Sequence, residues 1–214
     1  MVFITQAGMA TFTVIGKGQS AYQHGRLMCT TACMCMAVSF LSRQILPFSV
    51  DMHRIAQQMG YIMQLASSCH AGKGMISAAE ALKEINLDRL GLKVREFVTF
   101  FPSNPGVCEE SEPFFVPWNS VVQSIIGTAS KEKAVAALIT CNGHTVCIMV
   151  QENTGGTCFF DPMPGMLLVC NSGSSDIIHK KRQFDVMDMV RDSLVISATD
   201  SVNKQFDVTV MCKA

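Results

Sequence analysis

The chain has 214 residues, with 17 basic and 17 acidic side chains, and 49% of its residues are hydrophobic. The formal net charge of zero gives no overall field that would attract nucleic acid or an anionic membrane, and the apolar content is far above that of disordered chains. No run approaches the roughly 20 apolar residues of a membrane-spanning helix, and the first residues lack the basic and long apolar regions of a signal peptide. We therefore expect one globular domain in a reducing cytoplasm, with neither nucleic acid nor membrane as a partner.

The sequence contains 10 cysteines, and most of them fall inside apolar runs, where a thiol packs as a small hydrophobic side chain. These cysteines are Cys33, Cys35, Cys141, Cys147, Cys158 and Cys170. A secreted scaffold would instead carry its cysteines as disulfides in a short, loop-rich sequence. The placement predicts reduced thiols in the core.

The first half of the chain is predicted to be mainly helical. A short edge strand, Thr11–Ile15, comes first, and a glycine-containing loop leads from it to Met28. The next segment is apolar on nearly all sides, which predicts a buried central helix that stops before Pro47. The predicted helices are residues 29–44, a second from Ser49 and Asp51 through Ile62, and a third at 77–86, followed by a strand at 92–98.

The second half changes to strands. Residues 101–118 contain four prolines and predict a long loop, of the kind that often borders a functional cleft. The elements predicted after it are a short helix at 119–126, four strands at 134–140, 145–151, 157–160 and 166–170, a loop at 171–175, a helix at 182–192 and a strand at 206–211. Helices before an antiparallel meander predict an α+β fold, with a helical lobe at about 20–90 and a sheet lobe at about 92–214.

Cys29 is the strongest candidate for a reactive group, because it begins the predicted central helix. A helix N-terminus presents unpaired backbone N–H groups and a positive dipole end, which stabilise a thiolate and the oxyanion that forms when the thiolate attacks a carbonyl. Cys33 and Cys35 lie deeper in the same helix, where both effects have faded.

A base and an orienting carboxylate for this thiol occur on two neighbouring predicted strands. His144 begins one strand and Asp161 ends the next, so an antiparallel hairpin brings both to the same end of the sheet. The carboxylate can then accept a hydrogen bond from the imidazole, while the other ring nitrogen faces the thiol. Pro162 favours an extended backbone at Asp161 and ends that strand. The sequence therefore predicts a triad of Cys29, His144 and Asp161.

This order and layout resemble the papain clan of cysteine peptidases, in which the nucleophile begins the central helix and His and Asp or Asn lie on neighbouring strands. In that clan, a Gln or Asn several residues before the nucleophile commonly donates a hydrogen bond to the oxyanion. The resemblance assigns this role to Gln23, six residues before Cys29, with Gln19 as the alternative.

Within the clan, the sequence is most similar to the viral tegument-type deubiquitinases, the amino-terminal peptidases of herpesvirus large tegument proteins. Residues 18–32 resemble their nucleophile block, and residues 137–150 followed by 158–163 resemble their paired strands that end in Asp-Pro. Those enzymes generally carry their His two residues after the Asp, where this chain has Met163, and the His here lies on the preceding strand as in most of the clan. Bacterial papain-like effectors, with a His strand followed by Phe-Asp-Pro, are almost as similar.

The resemblance implies hydrolysis of a peptide or isopeptide bond at the C-terminus of ubiquitin or a ubiquitin-like protein, without a cofactor. Cys29 would be the nucleophile, His144 the base and then the acid, and Asp161 the group that orients His144. The expected location is the cytoplasm, and a host's cytoplasm if the source is a virus or an effector. A substrate ending in Gly-Gly needs a narrow slot, for which Phe114, Phe115 and Trp118 are candidate walls, although core anchoring of the loop is the favoured interpretation of these aromatics.

Several alternatives stay open. An effector-type protease or an acyltransferase with a substrate other than ubiquitin would use the same triad, and a catalytically inactive ubiquitin-binding module would keep the fold. A metal site is disfavoured, because no Cys-x-x-Cys occurs and the three cysteines at 29, 33 and 35 cannot converge on one ion from one helix. The histidines outside the triad, His24, His53, His70 and His179, are expected at the surface.

Overall fold

A computed structural model of the protein describes residues 2–4, 11–42, 52–100, 118–141, 143–151, 156–170 and 206–214. The helices in this part of the chain are α1 (Cys29–Leu41), α2 (Met52–His70), α3 (Ala78–Lys83) and α4 (Trp118–Glu132). The strands are β1 (Val2–Ile4), β2 (Thr11–Ile15), β3 (Leu92–Phe100), β4 (Ala134–Cys141), β5 (His144–Gln151), β6 (Gly156–Asp161), β7 (Met166–Cys170) and β8 (Phe206–Lys213). Short 3₁₀ helices lie at Gln19–Ala21, Gly25–Leu27 and Asp88–Leu90.

The eight described strands form one sheet in the order β1-β2-β7-β6-β5-β4-β8-β3. Every neighbouring pair is antiparallel. β4 and β5 lie in the middle and are apolar almost throughout, as expected for strands that are covered on both faces. Alternate residues of β4 point to opposite faces, with Ala136 and Leu138 on one side and Val135, Ala137 and Ile139 on the other.

The two faces of the sheet carry different helices. α1 crosses one face, over β4, β5 and β6, and α2 and α3 pack on α1 rather than on the middle of the sheet. α4 covers the opposite face, against β4, β5 and β8. α1 is buried on nearly all sides, which explains why its sequence carries almost no polar stripe.

α2 and α3 are amphipathic, so they can form an outer layer of the fold. α2 buries Ile55, Met59 and Ile62 at spacings of three and four residues and leaves its other side to solvent. α3 begins with a capping box, in which Ser77 accepts from the Glu80 N–H and the Glu80 carboxylate accepts from the Ser77 N–H. No helix in the described ranges is both long enough and apolar enough to cross a membrane.

The α+β order and the antiparallel meander predicted from the sequence are confirmed. The boundaries differ: α2 continues eight residues beyond Ile62 to His70, α3 ends at Lys83, and α4 runs to Glu132, because apolar spacing continues along α2 and α4. β2 was predicted as an edge strand, but β1 pairs with its outer side. The sheet therefore also contains residues from the start of the chain, in addition to the predicted sheet lobe.

Several predicted elements lie wholly or partly outside the described residues. These are the loop at 101–117, the loop at 171–175 and the helix at 182–192. Phe114 and Phe115 belong to this group, and Trp118 begins α4 instead of ending a loop. The central helix, which was predicted to reach residue 44, ends at Leu41 with Ser42 as its C-cap. The division of the chain into two lobes stays a prediction.

Candidate active site

Cys29 is the first residue of α1, at the point where the chain leaves a tight loop and enters the core. Its side chain is 4% exposed, and its thiol donates to the Gly143 carbonyl at 3.3 Å. No described side chain caps this helix end, since the N-cap residue is Met28. The N-terminal amides and the positive end of the helix dipole therefore act on the Cys29 sulfur.

The β4–β5 hairpin and the β5–β6 pair bring His144 and Asp161 to this thiol. Gly143 adopts a left-handed φ of 74°, which lets the hairpin turn tightly just before His144. β5 and β6 pair in a register that sets Cys147 opposite Phe160, so Asp161 ends β6 beside the start of β5. The His144 Nε2 atom lies 3.2 Å from Asp161 Oδ1, and both side chains are buried.

A second hydrogen bond fixes the Asp161 carboxylate, because its Oδ1 atom also accepts from the Met163 N–H at 2.9 Å. With Nε2 directed at Asp161, the other ring nitrogen of His144, Nδ1, is buried and is left for the Cys29 thiol. The structure thus brings together all three residues that the sequence suggested as a triad.

The electrostatics of this group favour a thiolate and an imidazolium. Burial on its own raises the pKa of the Cys29 thiol, but its interactions with His144 and with the N–H and hydroxyl of Thr145 outweigh burial and lower that pKa below its usual value. Burial on its own lowers the pKa of His144, but the hydrogen bond that its ring donates to Asp161 and the neighbouring Cys29 raise it to about 9. Both shifts favour transfer of the thiol proton to the imidazole.

The other cysteines of α1 are held as thiols. Burial raises the pKa of Cys33 well above its usual value, and burial together with Cys69 raises the pKa of Cys35 to about 12. The nine described cysteines are all thiols rather than disulfides, and Cys69 on α2 is exposed. Among these thiols, Cys29 alone lies at a helix start beside an imidazole.

The two glutamines proposed for the oxyanion occupy different surroundings. Gln19 is 6% exposed, its N–H donates to the Pro162 carbonyl at 2.8 Å, and its side-chain oxygen is buried without a hydrogen-bond partner among the described residues. Gln23 is exposed and lines a groove against α2 together with Met59 and Met63. The backbone of Gln19 is thus joined to the turn that follows Asp161, and which of the two glutamines serves the oxyanion stays a prediction.

The loop that carries Gln19 packs backbone to backbone against that turn. The Gly16 N–H donates to the Gly165 carbonyl at 2.8 Å. A Cβ atom at Gly165, whose φ is 69°, would lie 2.4 Å from the Lys17 carbonyl oxygen, and a Cβ at Gly18 would lie 2.3 Å from the Met163 carbonyl oxygen. No side chain fits between the two segments, which we call the Gln19 loop (residues 16–19) and the Asp161 turn (residues 161–165).

Met75, in the connection between α2 and α3, forms part of the rim of the site. Its side chain is 64% exposed. Its sulfur and methyl group lie against Gly143, since a Cβ atom built on Gly143 would be 3.1 Å from each of them. Because Gly143 also accepts the Cys29 hydrogen bond, Met75 contacts the residue that holds the thiol.

The sequence analysis missed two polar groups beside the first turn of α1. Thr145, directly after His144, is fully buried and bonds to Thr30. His70 was expected at the surface, but this expectation is wrong: it is 1% exposed, and its Nδ1 atom lies 3.0 Å from the Thr31 hydroxyl, because the end of α2 packs on α1. A threonine within an otherwise apolar strand was a signal for Thr145, whereas nothing local marked His70 as buried.

The remaining histidines differ in how they are placed. His53 is exposed, as predicted, His24 is half-buried, and His179 lies outside the described residues. Within the described ranges, no three His, Cys, Asp or Glu side chains converge in a way that could hold a metal ion.

The similarity of this protein to known proteins lies in its fold. No protein-family model matches the sequence, and a search of curated proteins finds no match either. Among solved structures, the ubiquitin-specific protease encoded by a tegument protein of murine cytomegalovirus, solved with a ubiquitin-based suicide substrate, matches over 93% of this chain and 84% of its own. Its TM-score is 0.52 and its sequence identity is 12%. The chain has a papain-like cysteine peptidase fold.

This papain-like fold confirms the expected architecture and the resemblance to viral tegument deubiquitinases at the level of structure. The avirulence protein AvrPphB of Pseudomonas also matches, with a TM-score of 0.40, 13% identity, and coverage of 86% of this chain and 90% of its own. At that score the two chains overlap too loosely to support a conclusion.

Proposed function

We propose that the protein is a cysteine peptidase that cleaves peptide or isopeptide bonds at the C-terminus of ubiquitin or a ubiquitin-like protein. The observation that carries this proposal is the position of Cys29, at an uncapped helix start and beside an imidazole that is bonded to Asp161 at 3.2 Å. The fold shared with a viral ubiquitin protease supports this choice of substrate.

In the proposed reaction, the Cys29 thiolate attacks the carbonyl carbon of the last substrate residue, and a tetrahedral oxyanion forms. The protonated His144 gives its proton to the leaving amine, the C–N bond breaks, and a thioester remains on Cys29. His144 then takes a proton from water, which attacks the thioester, and the C–S bond breaks to release the acid and restore the thiolate. Asp161 keeps the imidazole oriented and stabilises its charge through both transfers.

The oxyanion requires two donors that are fixed before the substrate arrives. We assign the first to the backbone N–H of Cys29, at the start of α1, and the second to the side-chain amide of Gln19. Gln19 is supported by its burial and by its backbone bond to Pro162, whereas Gln23 is exposed.

The surroundings of the thiol favour a slim substrate end. The Cys29 side chain is 4% exposed, and Met75 lies against Gly143 on one side of it. A chain that ends in glycine, as ubiquitin and its relatives do, needs the least room beside the scissile bond. We place this activity in a reducing cytoplasm, that of a host if the protein comes from a virus or an effector system, because buried thiols persist under such conditions.

The test is to incubate the wild-type protein, Cys29→Ala and Cys33→Ala with ubiquitin and ubiquitin-like proteins that carry a thiol-reactive group at the C-terminus, and to measure intact masses. We expect an adduct with one modifier in the wild type and in Cys33→Ala, and none in Cys29→Ala. An adduct that persists in Cys29→Ala would move the nucleophile elsewhere.

A small thiol-reactive probe separates the alternatives. If the probe labels Cys29 but no modifier reacts, the ubiquitin assignment is overturned and a protease or acyltransferase with another substrate takes its place. If neither reagent labels Cys29, a catalytically inactive binding module is the better description.

A further inference from the structure

Three threonine hydroxyls meet beneath the first turn of α1. Thr140 and Thr145 are direct partners across the β4–β5 pair, and their Oγ1 atoms lie 2.9 Å apart. Thr30, the residue after Cys29, brings its own Oγ1 atom to within 2.8 Å of Thr145 Oγ1. Thr145 is therefore the middle member of a chain of hydroxyls that runs from the sheet to the nucleophile helix.

Thr145 is buried too deeply for water to complete its hydrogen bonds. Its exposure is 0% and that of Thr30 is 3%. The Cys33 thiol donates to the Thr145 carbonyl at 3.2 Å and so holds the backbone of Thr145 against α1. A hydroxyl enclosed in this way must find its partners within the protein, since an unsatisfied buried hydroxyl is costly.

The number of hydroxyl hydrogens limits the direction of the hydrogen bonds among the three threonines. Each threonine hydroxyl has one hydrogen to donate and two lone pairs. If Thr30 and Thr140 both donate to Thr145, the two contacts are satisfied and the hydrogen of Thr145 is free for a third partner. The Cys29 sulfur is placed for this role, because it lies 3.3 Å from the carbonyl of Gly143, two residues before Thr145, and Cys29 directly precedes Thr30, which contacts Thr145. A hydrogen bond from Thr145 is also among the causes that lower the Cys29 pKa.

The sulfur needs such a donor only after it ionises. As a thiol, Cys29 donates its hydrogen to the Gly143 carbonyl. As a thiolate, it has no hydrogen to give and becomes a charged acceptor, and hydrogen bonds to charged groups are the stronger kind. The groups that titrate around it are His144 on β5, Asp161 on β6 behind His144, and Cys33 on its own helix.

We propose that Thr145 donates its hydroxyl hydrogen bond to the Cys29 thiolate, and that Thr30 and Thr140 are positioning residues that orient this hydroxyl by donating to it. Thr145 thereby holds the resting thiolate, a role separate from the stabilisation of the oxyanion. The inference concerns the nucleophile of the proposed peptidase, but its test requires no substrate.

The experiment measures the rate at which iodoacetamide alkylates Cys29 as a function of pH, with Cys29 and Cys69 followed separately by peptide mass. Cys69 is exposed on α2 and reports, in the same sample, any change in alkylation rate that is not specific to Cys29. We expect Thr145→Val to move the Cys29 profile to higher pH and to lower its rate at pH 7 about tenfold, while the Cys69 rate is unchanged. Thr145→Ser keeps the hydroxyl and is expected to stay within about twofold of the wild type.

Thr157→Val is the matched control. Thr157 is 1% exposed on β6, and its hydroxyl has no hydrogen-bond partner among the described residues, so this variant makes the same change in the sheet away from Cys29. Its Cys29 profile is expected to match that of the wild type. A Thr145→Val protein that unfolds cooperatively and keeps the wild-type profile would overturn the inference.

Thr140→Val provides a second route if Thr145→Val fails to fold. It removes one of the two donors to Thr145 and is expected to shift the profile in the same direction by about two- to fivefold in rate. If the Cys29 alkylation profile of Thr140→Val matches that of the wild type, the proposed direction of the hydrogen bonds, with Thr140 donating to Thr145, is contradicted. Because alkylation uses no ubiquitin, a shift in these variants supports the thiolate role even where no ubiquitin probe reacts, and the two proposals fail independently.

Discussion

Two successive turns of the same helix carry thiols of opposite character. Cys29 and Cys33 lie one turn apart on α1, are 4% and 0% exposed, and donate to backbone carbonyls at 3.3 and 3.2 Å, those of Gly143 and Thr145. Even so, the pKa of Cys29 is lowered and that of Cys33 is raised well above its usual value. Burial is shared by the two residues and therefore does not decide which thiol is reactive.

The difference lies in what the sheet presents to each turn. The first turn meets the start of β5, where His144 and Thr145 offer a positive charge and hydrogen-bond donors. The second turn meets the apolar interior of the sheet, where Cys147 is the nearest titratable neighbour and gives no stabilisation to a thiolate. The pKa of Cys29 is thus lowered because α1 begins where β5 also begins.

The largest expected effect comes from replacing each of the two cysteines, one at a time, with alanine. Cys29→Ala should abolish cleavage of a ubiquitin C-terminal fluorogenic substrate, a fall on the order of 10⁴-fold or more. Cys33→Ala should keep most of the activity and lose stability on the order of 1 kcal/mol, because a buried sulfur is deleted. Steady-state kinetics and denaturant unfolding measure the two effects. Loss of activity in a folded Cys33→Ala protein would move the nucleophile one turn along α1.

The next largest effect is expected when the Asp161 carboxylate, which supports His144 beside the first turn of α1, is removed. Asp161→Ala should lower kcat/KM about 10³-fold, because His144 loses its orientation and the partner of its charge. Without that partner the His144 pKa falls from about 9, so the alkaline limb of the pH profile moves to lower pH. A pH series of kcat/KM measures this shift. Asp161→Asn keeps an acceptor oxygen without the charge and should fall between the wild type and Asp161→Ala.

A smaller effect distinguishes the two glutamines before α1. Gln19→Ala should lower kcat about 100-fold while changing KM little, since an oxyanion donor acts mainly in the transition state. Gln23→Ala serves as its control and should leave kcat near the wild-type value, because this side chain is exposed in a groove beside α2. The reverse ranking of the two variants would reassign the oxyanion donor to Gln23.

The smallest effect concerns His70, the histidine that packs beside the first turn through Thr31. Burial and the nearby Lys73 lower the His70 pKa, so the folded protein holds this side chain neutral. The stability that depends on the neutral form is complete above the unfolded pKa of about 6.5 and decreases as the pH falls below it. Thermal unfolding at pH 5.5 and 7.5 should therefore differ less in His70→Gln than in the wild type, by a few degrees on the order expected for one group. An unchanged difference would show that another group causes the acid sensitivity.

The parts that the sequence predicted best were those with local signals. Cys29 follows a loop and begins an apolar helix, and Asp161 precedes a proline at a strand end, so the spacing alone indicated where these side chains would lie. The structure brings both of them to His144, while their catalytic roles stay a prediction until the variants are measured.

The parts that the sequence could not predict depend on contacts between distant segments. Our proposal of Gln19 over Gln23 rests in part on a backbone bond to Pro162, more than 140 residues along the chain. His70 has polar and glycine-containing neighbours that are typical of a surface helix end, yet the packing of α2 on α1 buries it. The hydroxyl chain needs Thr30 and Thr145 in contact across 115 positions, and no periodicity reports such a contact.

The close packing of the Gln19 loop on the Asp161 turn has a consequence for how such a protein can change. Because backbone lies directly on backbone at Gly18 and Gly165, a single added methyl group at either glycine would push apart the donor assigned to the oxyanion and the carboxylate that holds the imidazole. The Gln19 loop and the Asp161 turn are therefore held as one unit, and a substitution at either glycine would disturb both segments. Met75, which packs against Gly143, is by contrast 64% exposed, so a different side chain has room there.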